Sequence, residues 1–338
     1  RSCLYYRKAI NKNHYKIKKP AICGLFLTLR KKKLIGKWWA KRQAKKRFKE
    51  DKNIILSSSN IDVSSIRTLI CLAGPYRNIT TLTASIAALH PNCQVLNHAQ
   101  KRILPHQEVD FFSDYTLDKW KRFLQYGLRI SLAGERGRTG GSILYSHAFD
   151  HGNAKGLYQK RYGEKPIKDH IQSILWKEGL YLANHLRKHN VDPLYLIKQQ
   201  KRLKFVLPIR NVLDCAVSNK KTTLAYIFND IDEDSSLKEI ISAILEEHLE
   251  FFKRQQKMPA HFFHFFEHSF DKETLMAYCH FAKIPFDEQW ALDVLSIFDM
   301  KSKYDHDQET IQFYKEEVEI KFDDFPEIKT NLLSFTAS

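Results

Sequence analysis

Two stretches of this 338-residue chain hold side chains suited to gripping an anion. The first is GPYRNITTL, residues 74–82. A helix beginning near Thr80 has unpaired backbone N–H groups and the positive end of its dipole at that turn. Thr80 and Thr81 add hydroxyls, Asn78 adds an amide, and Arg77 adds a permanent charge whose planar fork matches phosphate or sulfonate oxygens. The G-x-x-x-x-G-K-[ST] pattern is absent, which turns the reading away from an ATPase or kinase. The second stretch is FVLPIRNVLDCAVSNKKT, residues 205–222. Arg210 falls at the carboxyl end of an apolar run, where open parallel sheets place their ligands, and Ser218 follows eight residues later with Lys220 and Lys221 close behind. The competing use of Arg210 is a turn-stabilising pair with Asp214. A third candidate is His98, just after CQVL (93–96), because imidazole titrates near neutrality and suits general-base work. A hydrogen-bonded strand-end histidine is the alternative.

These groups need elements to bring them together. TLICLAG, from Thr68, ends at Gly74 and Pro75 and reads as a buried strand of a parallel sheet. TTLTASIAALH (80–90) reads as a helix stopped by Pro91, and CQVL, KFVLPI (204–209) and HFFHFF (261–266) read as further strands. Strands alternating with helices predict an α/β fold, a central, mainly parallel sheet flanked by helices. Nine of the twelve glycines fall between Gly127 and Gly179, so a loop-rich insertion is expected over about 127–179, forming the wall or lid of a site. Glu178, placed in a helix expected from Ile167 to Lys188, is a reserve candidate for the base or for acceptor binding, as are His147 and Arg138 of the glycine-rich stretch. His147 and His151 lack the Glu of H-E-x-x-H, and His261, His264 and His268 sit among phenylalanines, so core positions are favoured over metal for both groups.

Over roughly Arg67 to Trp290 the chain resembles the sulfotransferases that use 3′-phosphoadenosine 5′-phosphosulfate (PAPS). PYRNITTL is similar to the family's PRSGTTL or PKSGTTW loop, and Arg210 with Ser218 is similar to its Arg followed eight residues later by Ser. FFEHSFDKETLMAYCHFAKIPFDE (265–288) resembles its strand ending in Tyr-Glu with the helix and Pro-containing turn beyond. The resemblance implies a P-loop-like architecture and transfer of a sulfuryl group from PAPS to a hydroxyl of a carbohydrate, lipid or peptide, a carbohydrate first. It implies that Arg77, Asn78, Thr80 and Thr81 hold the 5′ end, that Arg210 and Ser218 hold the 3′-phosphate, and that His98 and Arg77 are catalytic. His98 lies 21 residues beyond Arg77 within HPNCQVLNHAQ, similar to a stretch where protein-tyrosine sulfotransferases carry a Glu base and cytosolic relatives use His. No metal is expected, since Arg and the helix dipole supply positive charge. By the same analogy Ser302 and Lys303 close over the nucleotide. Three departures stand out: Ile79 replaces the usual Gly, Asn78 the usual Ser, and Phe266 the usual Tyr. Ile79 and Phe266 are the best support for the alternative of a degenerate, non-catalytic member of the fold tethered by its basic arm to anionic lipid or nucleic acid.

That arm holds the whole charge excess. Residues 1–52 carry 19 basic and two acidic side chains, so the net charge of +17 belongs to them and the rest is balanced. A nucleic-acid-coating domain would spread its charge over its folded surface, and no specific nucleic acid is expected as a partner. LIGKWWAKRQAKKRF (34–48) reads as a helix lying on an anionic membrane surface with Trp38 and Trp39 at headgroup level; a solvated tail is the other reading. AICGLFLTL (21–29) is far shorter than the roughly 20 residues that span a bilayer. Six scattered cysteines without C-x-x-C suit a reducing compartment, so the expected location is cytoplasmic, with peripheral membrane contact through the arm. The chain starts at Arg1, so further sequence is expected upstream. The expected organisation is an arm over 1–55, a linker over 56–66, the α/β domain over 67–325 and a tail over 326–338.

Overall fold

The computed structural model describes residues 42–133, 140–150, 153–298 and 304–336. It divides into a unit ending at Asp51 and a unit from Lys52 to Ser338. In the first, residues 42–51 are helical and Lys46 pairs with Glu50 one turn on, 3.7 Å away. Residues 1–41, with Trp38 and Trp39, lie outside the described residues, as do Arg138, His151, Ser302 and Lys303.

The second unit is an α/β fold. Six strands are described: β1 (Thr68–Leu72), β2 (Cys93–Asn97), β3 (Gly141–Ser142), β4 (Ser173–Lys177), β5 (Leu203–Ile209) and β6 (Phe262–Phe266). They lie in the order β3-β2-β4-β1-β5-β6, parallel except for β3, which runs antiparallel to β2. Every residue of β1, β2, β4 and β5 is buried, because helices cover both faces. Leu69 and Cys71 face one apolar cluster and Ile70 and Leu72 the other, as the period of two requires.

The helices that matter for the site are α1 (Thr80–Leu89), α2 (Leu117–Ile130), α3 (Leu180–Lys188), α4 (Val212–Lys221) and α5 (Leu237–Lys257). Beyond them come α6 (Lys272–Ala282), α7 (Glu288–Ile297), α8 (Gln308–Lys321) and α9 (Pro326–Ser334). α1, α6 and α7 pack on one face, centred on the fully buried Trp290; α2, α3, α5, α8 and α9 pack on the other. Adjacent strands β1 and β4 thus send their following helices to opposite faces. Such a switch point opens a crevice at the strands' carboxyl ends, where α/β proteins bind ligands.

Several expectations change. The helix expected from Ile167 to Lys188 is instead strand β4, a break at Glu178 and Gly179, and α3. SILWK pairs on both sides, with β1 and β2, and is fully buried there. The stretch 127–179 is less of a loop than expected, since it holds the end of α2, β3, a helix over Ala154–Tyr162 and β4. Residues 56–66, read as a linker, are packed: Ser58 donates to Ile55 O at 2.8 Å, and Val63 and Ile66 join the core. The residues after 325, read as a tail, form α9, whose Leu332 is buried and accepts from Tyr314 OH at 2.7 Å.

Candidate functional site

The turn after β1 is built tightly. Gly74 has φ +80°, and a Cβ on it would lie 2.5 Å from Leu207 Cδ1, so any other residue would be strained in its backbone and would have to displace the Leu207 side chain. Arg77 and Ile79 also take left-handed φ, 63° and 47°. For a β-branched residue this costs about 1–2 kcal/mol. The buried Ile79 side chain, packed in the cluster on the α1 face, offsets it with the roughly 1.5–3 kcal/mol that burying such a side chain contributes. Ile79 is the residue before α1, so Thr80 and Thr81 are the helix's first two residues, Thr80 buried and Thr81 half-buried.

β5 lies beside β1, with Leu72 opposite Val206, and so the turn after β5 lies beside the turn after β1. Side chains join them. Arg77 Nε donates to Ser218 Oγ at 2.8 Å, and Arg210 Nη1 reaches the Arg77 carbonyl at 3.5 Å. Asn219 Nδ2 donates to the Tyr76 carbonyl at 2.7 Å. Asn78 Nδ2 donates to Pro208 O at 2.5 Å, and Asn78 Oδ1 accepts the Arg210 N–H at 2.9 Å. The alternative use of Arg210 is also real: its Nη2 lies 3.4 Å from Asp214 Oδ2. Asp214 Oδ1 in turn accepts from Tyr304 N at 3.1 Å and faces His306 Nε2 at 2.9 Å. Cys215, beside the first turn, feels both guanidinium groups: burial pushes its thiol up to about 12 while Arg210 and Arg77 pull it down.

β4 adds the other half. Its last residue, Lys177, is buried, with Nζ 3.2 Å from His98 Nε2 at the end of β2. Burial pulls Lys177 down to about 8, helped by the Arg77 charge and opposed by Glu178. Glu178, also buried, accepts from the Tyr76 hydroxyl through Oε1, and its Oε2 is 3.7 Å from His98 Nδ1. The His98 pKa lies below its ordinary value chiefly because of burial; Lys177 adds to the drop, and Glu178 works against it. His98 has φ 54°, and its carbonyl accepts from the Trp176 indole, which pins the backbone at the sheet's edge.

The structure therefore gathers Arg77, Thr80, Thr81, Arg210, Ser218 and His98 at one edge of the sheet. Asn78 differs from the expectation of a donor contact: it is fully buried and spends its amide on the second turn. His147, with Nδ1 2.7 Å from Asp150 Oδ2, lies near enough to His98 for its charge to add to the lowering of the His98 pKa. Among the described residues no group of three or more His, Cys, Asp or Glu side chains is placed to hold a metal ion. Sequence reasoning missed Lys177, Tyr76, His306 and His248. For Lys177 a signal existed, the Gly179 break after SILWK; the others meet the site only through space.

Arg210 and Ser218 are buried against Asp214 and Arg77, and two guanidinium groups with one helix N-terminus at neighbouring turns are of the kind that suits a ligand with two separated anionic groups. No helix among the described residues is long and apolar enough to cross a membrane. No protein-family model and no curated protein matches the chain. Among solved structures, it is similar to mouse sulfotransferase SULT7A1 complexed with PAP, at 9% identity and a TM-score of 0.43, over 85% of this chain and 94% of that one. It is also similar to sulfotransferase STF9 from Mycobacterium avium, at 11% identity and a TM-score of 0.42, over 82% of this chain and 80% of that one.

Proposed function

We propose that the chain is a sulfotransferase that passes a sulfuryl group from PAPS to a hydroxyl of a carbohydrate, lipid or peptide acceptor. The observation that carries this reading is the 2.8 Å bond from Arg77 to Ser218, which closes two distant turns into one cationic cup next to His98. Arg77 and the start of α1, with Thr80 and Thr81, hold the 5′ end; Arg210 and Ser218 hold the 3′-phosphate. When bound, the donor supplies a sulfuryl group whose bond to the phosphate oxygen breaks as the acceptor oxygen attacks.

The protein's own work is positioning and charge. With Lys177 protonated, its N–H meets His98 Nε2, so the ring proton sits on Nδ1, towards Glu178. Nε2 is then the basic nitrogen, the atom that takes the acceptor's hydroxyl proton once Lys177 turns its ammonium towards negative charge in the cup. Glu178 and Tyr76 hold this arrangement from behind.

Calorimetric titration with 3′-phosphoadenosine 5′-phosphate (PAP) tests the assignment. Arg210→Ala removes a charge-assisted contact of about 1.5–3 kcal/mol and is expected to weaken PAP about 10- to 150-fold. Equal affinity of parent and variant would contradict it.

A further inference from the structure

We propose that His248 is a positioning residue that locks the two anion-binding turns together through Asn78, so that a donor's two anionic ends are gripped as one unit. This deepens the reading above and rests on it. His248 stands on α5, fully buried, with Nε2 3.4 Å from Asn78 Nδ2. A primary amide has two N–H donors and one carbonyl. In Asn78 one N–H goes to Pro208 O, the other faces His248, and the carbonyl takes the Arg210 N–H. The amide thus clasps the backbone on both sides of Ile209; Pro208 O and the Arg210 N–H set which way round it sits, and His248, accepting the second N–H, holds it there. Burial drives the His248 pKa down to about 3, so the ring is neutral and Nε2 is free to accept.

Packing alone gives no reason for a histidine here. Its helix neighbours Ile244, Leu245, Leu249 and Phe252 are buried and apolar, and its Nδ1 has no hydrogen-bond partner among the described residues. An apolar side chain of similar size would remove that unsatisfied group. What it would also remove is the constraint on Asn78. Two turns held as one body let the second phosphate bind without a fresh ordering cost, which is positive coupling between the two ends of the ligand.

The test is a ligand cycle on the full chain. Parent, His248→Leu, His248→Gln and a core control, Leu245→Ala, are titrated with PAP, adenosine 5′-monophosphate, adenosine 3′-monophosphate and adenosine. The coupling factor is the affinity gain from both phosphates together divided by the product of the separate gains. The parent is expected to show a factor of about ten, which His248→Leu reduces to near one while each monophosphate shifts less than about twofold. His248→Gln, whose carbonyl can accept, restores most of it. Leu245→Ala lowers the melting temperature but leaves the coupling intact. Coupling unchanged in His248→Leu, or a uniform loss across all four ligands, overturns the latch while leaving the donor assignment standing. A parent that binds no PAP overturns the donor assignment and the latch with it.

Discussion

Lys177 offers the most direct test of whether this crevice is organised for chemistry at the expense of stability. The perturbation is Lys177→Met, which keeps the side chain's length and removes its charge. Burial holds the Lys177 pKa at about 8 against an ordinary 10.5, after the favourable pull of Glu178 is counted. At 1.36 kcal/mol per unit, the charged form costs the folded state on the order of 3 kcal/mol at neutral pH. The sign follows from proton counting. Between pH 8 and 10.5 the unfolded chain binds more protons at this site than the folded one, so stability rises with pH across that window. Below pH 8 the full cost is present. Lys177→Met is therefore expected to gain up to roughly 3 kcal/mol at pH 7, or about 5 °C in melting temperature. The gain shrinks as pH rises towards 10. Lys168 and Lys204 are also pulled down, to about 7 and about 8, so the informative quantity is the difference between parent and variant in urea unfolding at pH 7 and pH 9.5. Turnover should fall about 100-fold, the typical cost of losing one cationic donor to developing charge. A variant less stable than the parent at pH 7, or one whose stability follows pH as the parent's does, would refute the reasoning.

His98→Ala should lower kcat by about 10²- to 10⁴-fold while leaving PAP affinity within about twofold, as befits a group that acts on the acceptor proton. In the parent, the lowered His98 pKa places the acid limb of the pH–rate profile below His98's ordinary value of 6.5, and the need for a charged Lys177 places the alkaline limb near 8. A single-limbed profile that keeps rising past pH 9 would count against both assignments. Ile79→Gly relieves about 1–2 kcal/mol of left-handed strain, yet it loses about 1.5–3 kcal/mol of side-chain burial and adds about 0.5–1 kcal/mol of glycine entropy. The net expectation is a loss of about 1–2 kcal/mol in urea unfolding, and a gain would show that the strain outweighs the packing.

Much of the scaffold was legible because four strands are short, mostly apolar runs with punctuation beside them. β1 ends at Gly74 and Pro75, β2 follows Pro91, and β5 and β6 lead into polar turns. β4 lacked that contrast. SILWK is only five residues long, and LYLANHLRK follows after two residues, so the apolar positions merged into one helix-like pattern over 167–188. The error had a chemical consequence: it left Lys177 unnoticed and Glu178 a reserve on the wrong kind of element. Asn78 shows the opposite failure. Its place in an anion-binding turn suggested a ligand contact, but a short amide within reach of a neighbouring strand's end is worth more as a brace, and its partners at Pro208 and Arg210 are known only from the fold.

The sheet order explains why the missing strand mattered so much. β4 enters between β1 and β2, so whatever follows it must lie between the Gly74 turn and His98. Lys177 and Glu178 touch both sides for that reason, one through His98 and the other through Tyr76 and His98. Spacing along the chain reports the turns that follow single strands, which is how Arg77 and Arg210 could be read. It is silent about groups brought in by crossover or by the far face of a helix, such as His306 at Asp214 or His248 at Asn78. An anion-binding turn is a local device, carried by a few consecutive residues. A proton-transfer group needs its environment fixed from several directions, and around His98 those directions come from β2, β4 and the first turn at once, so the half of the site proposed to be catalytic becomes visible only when the strands are laid side by side.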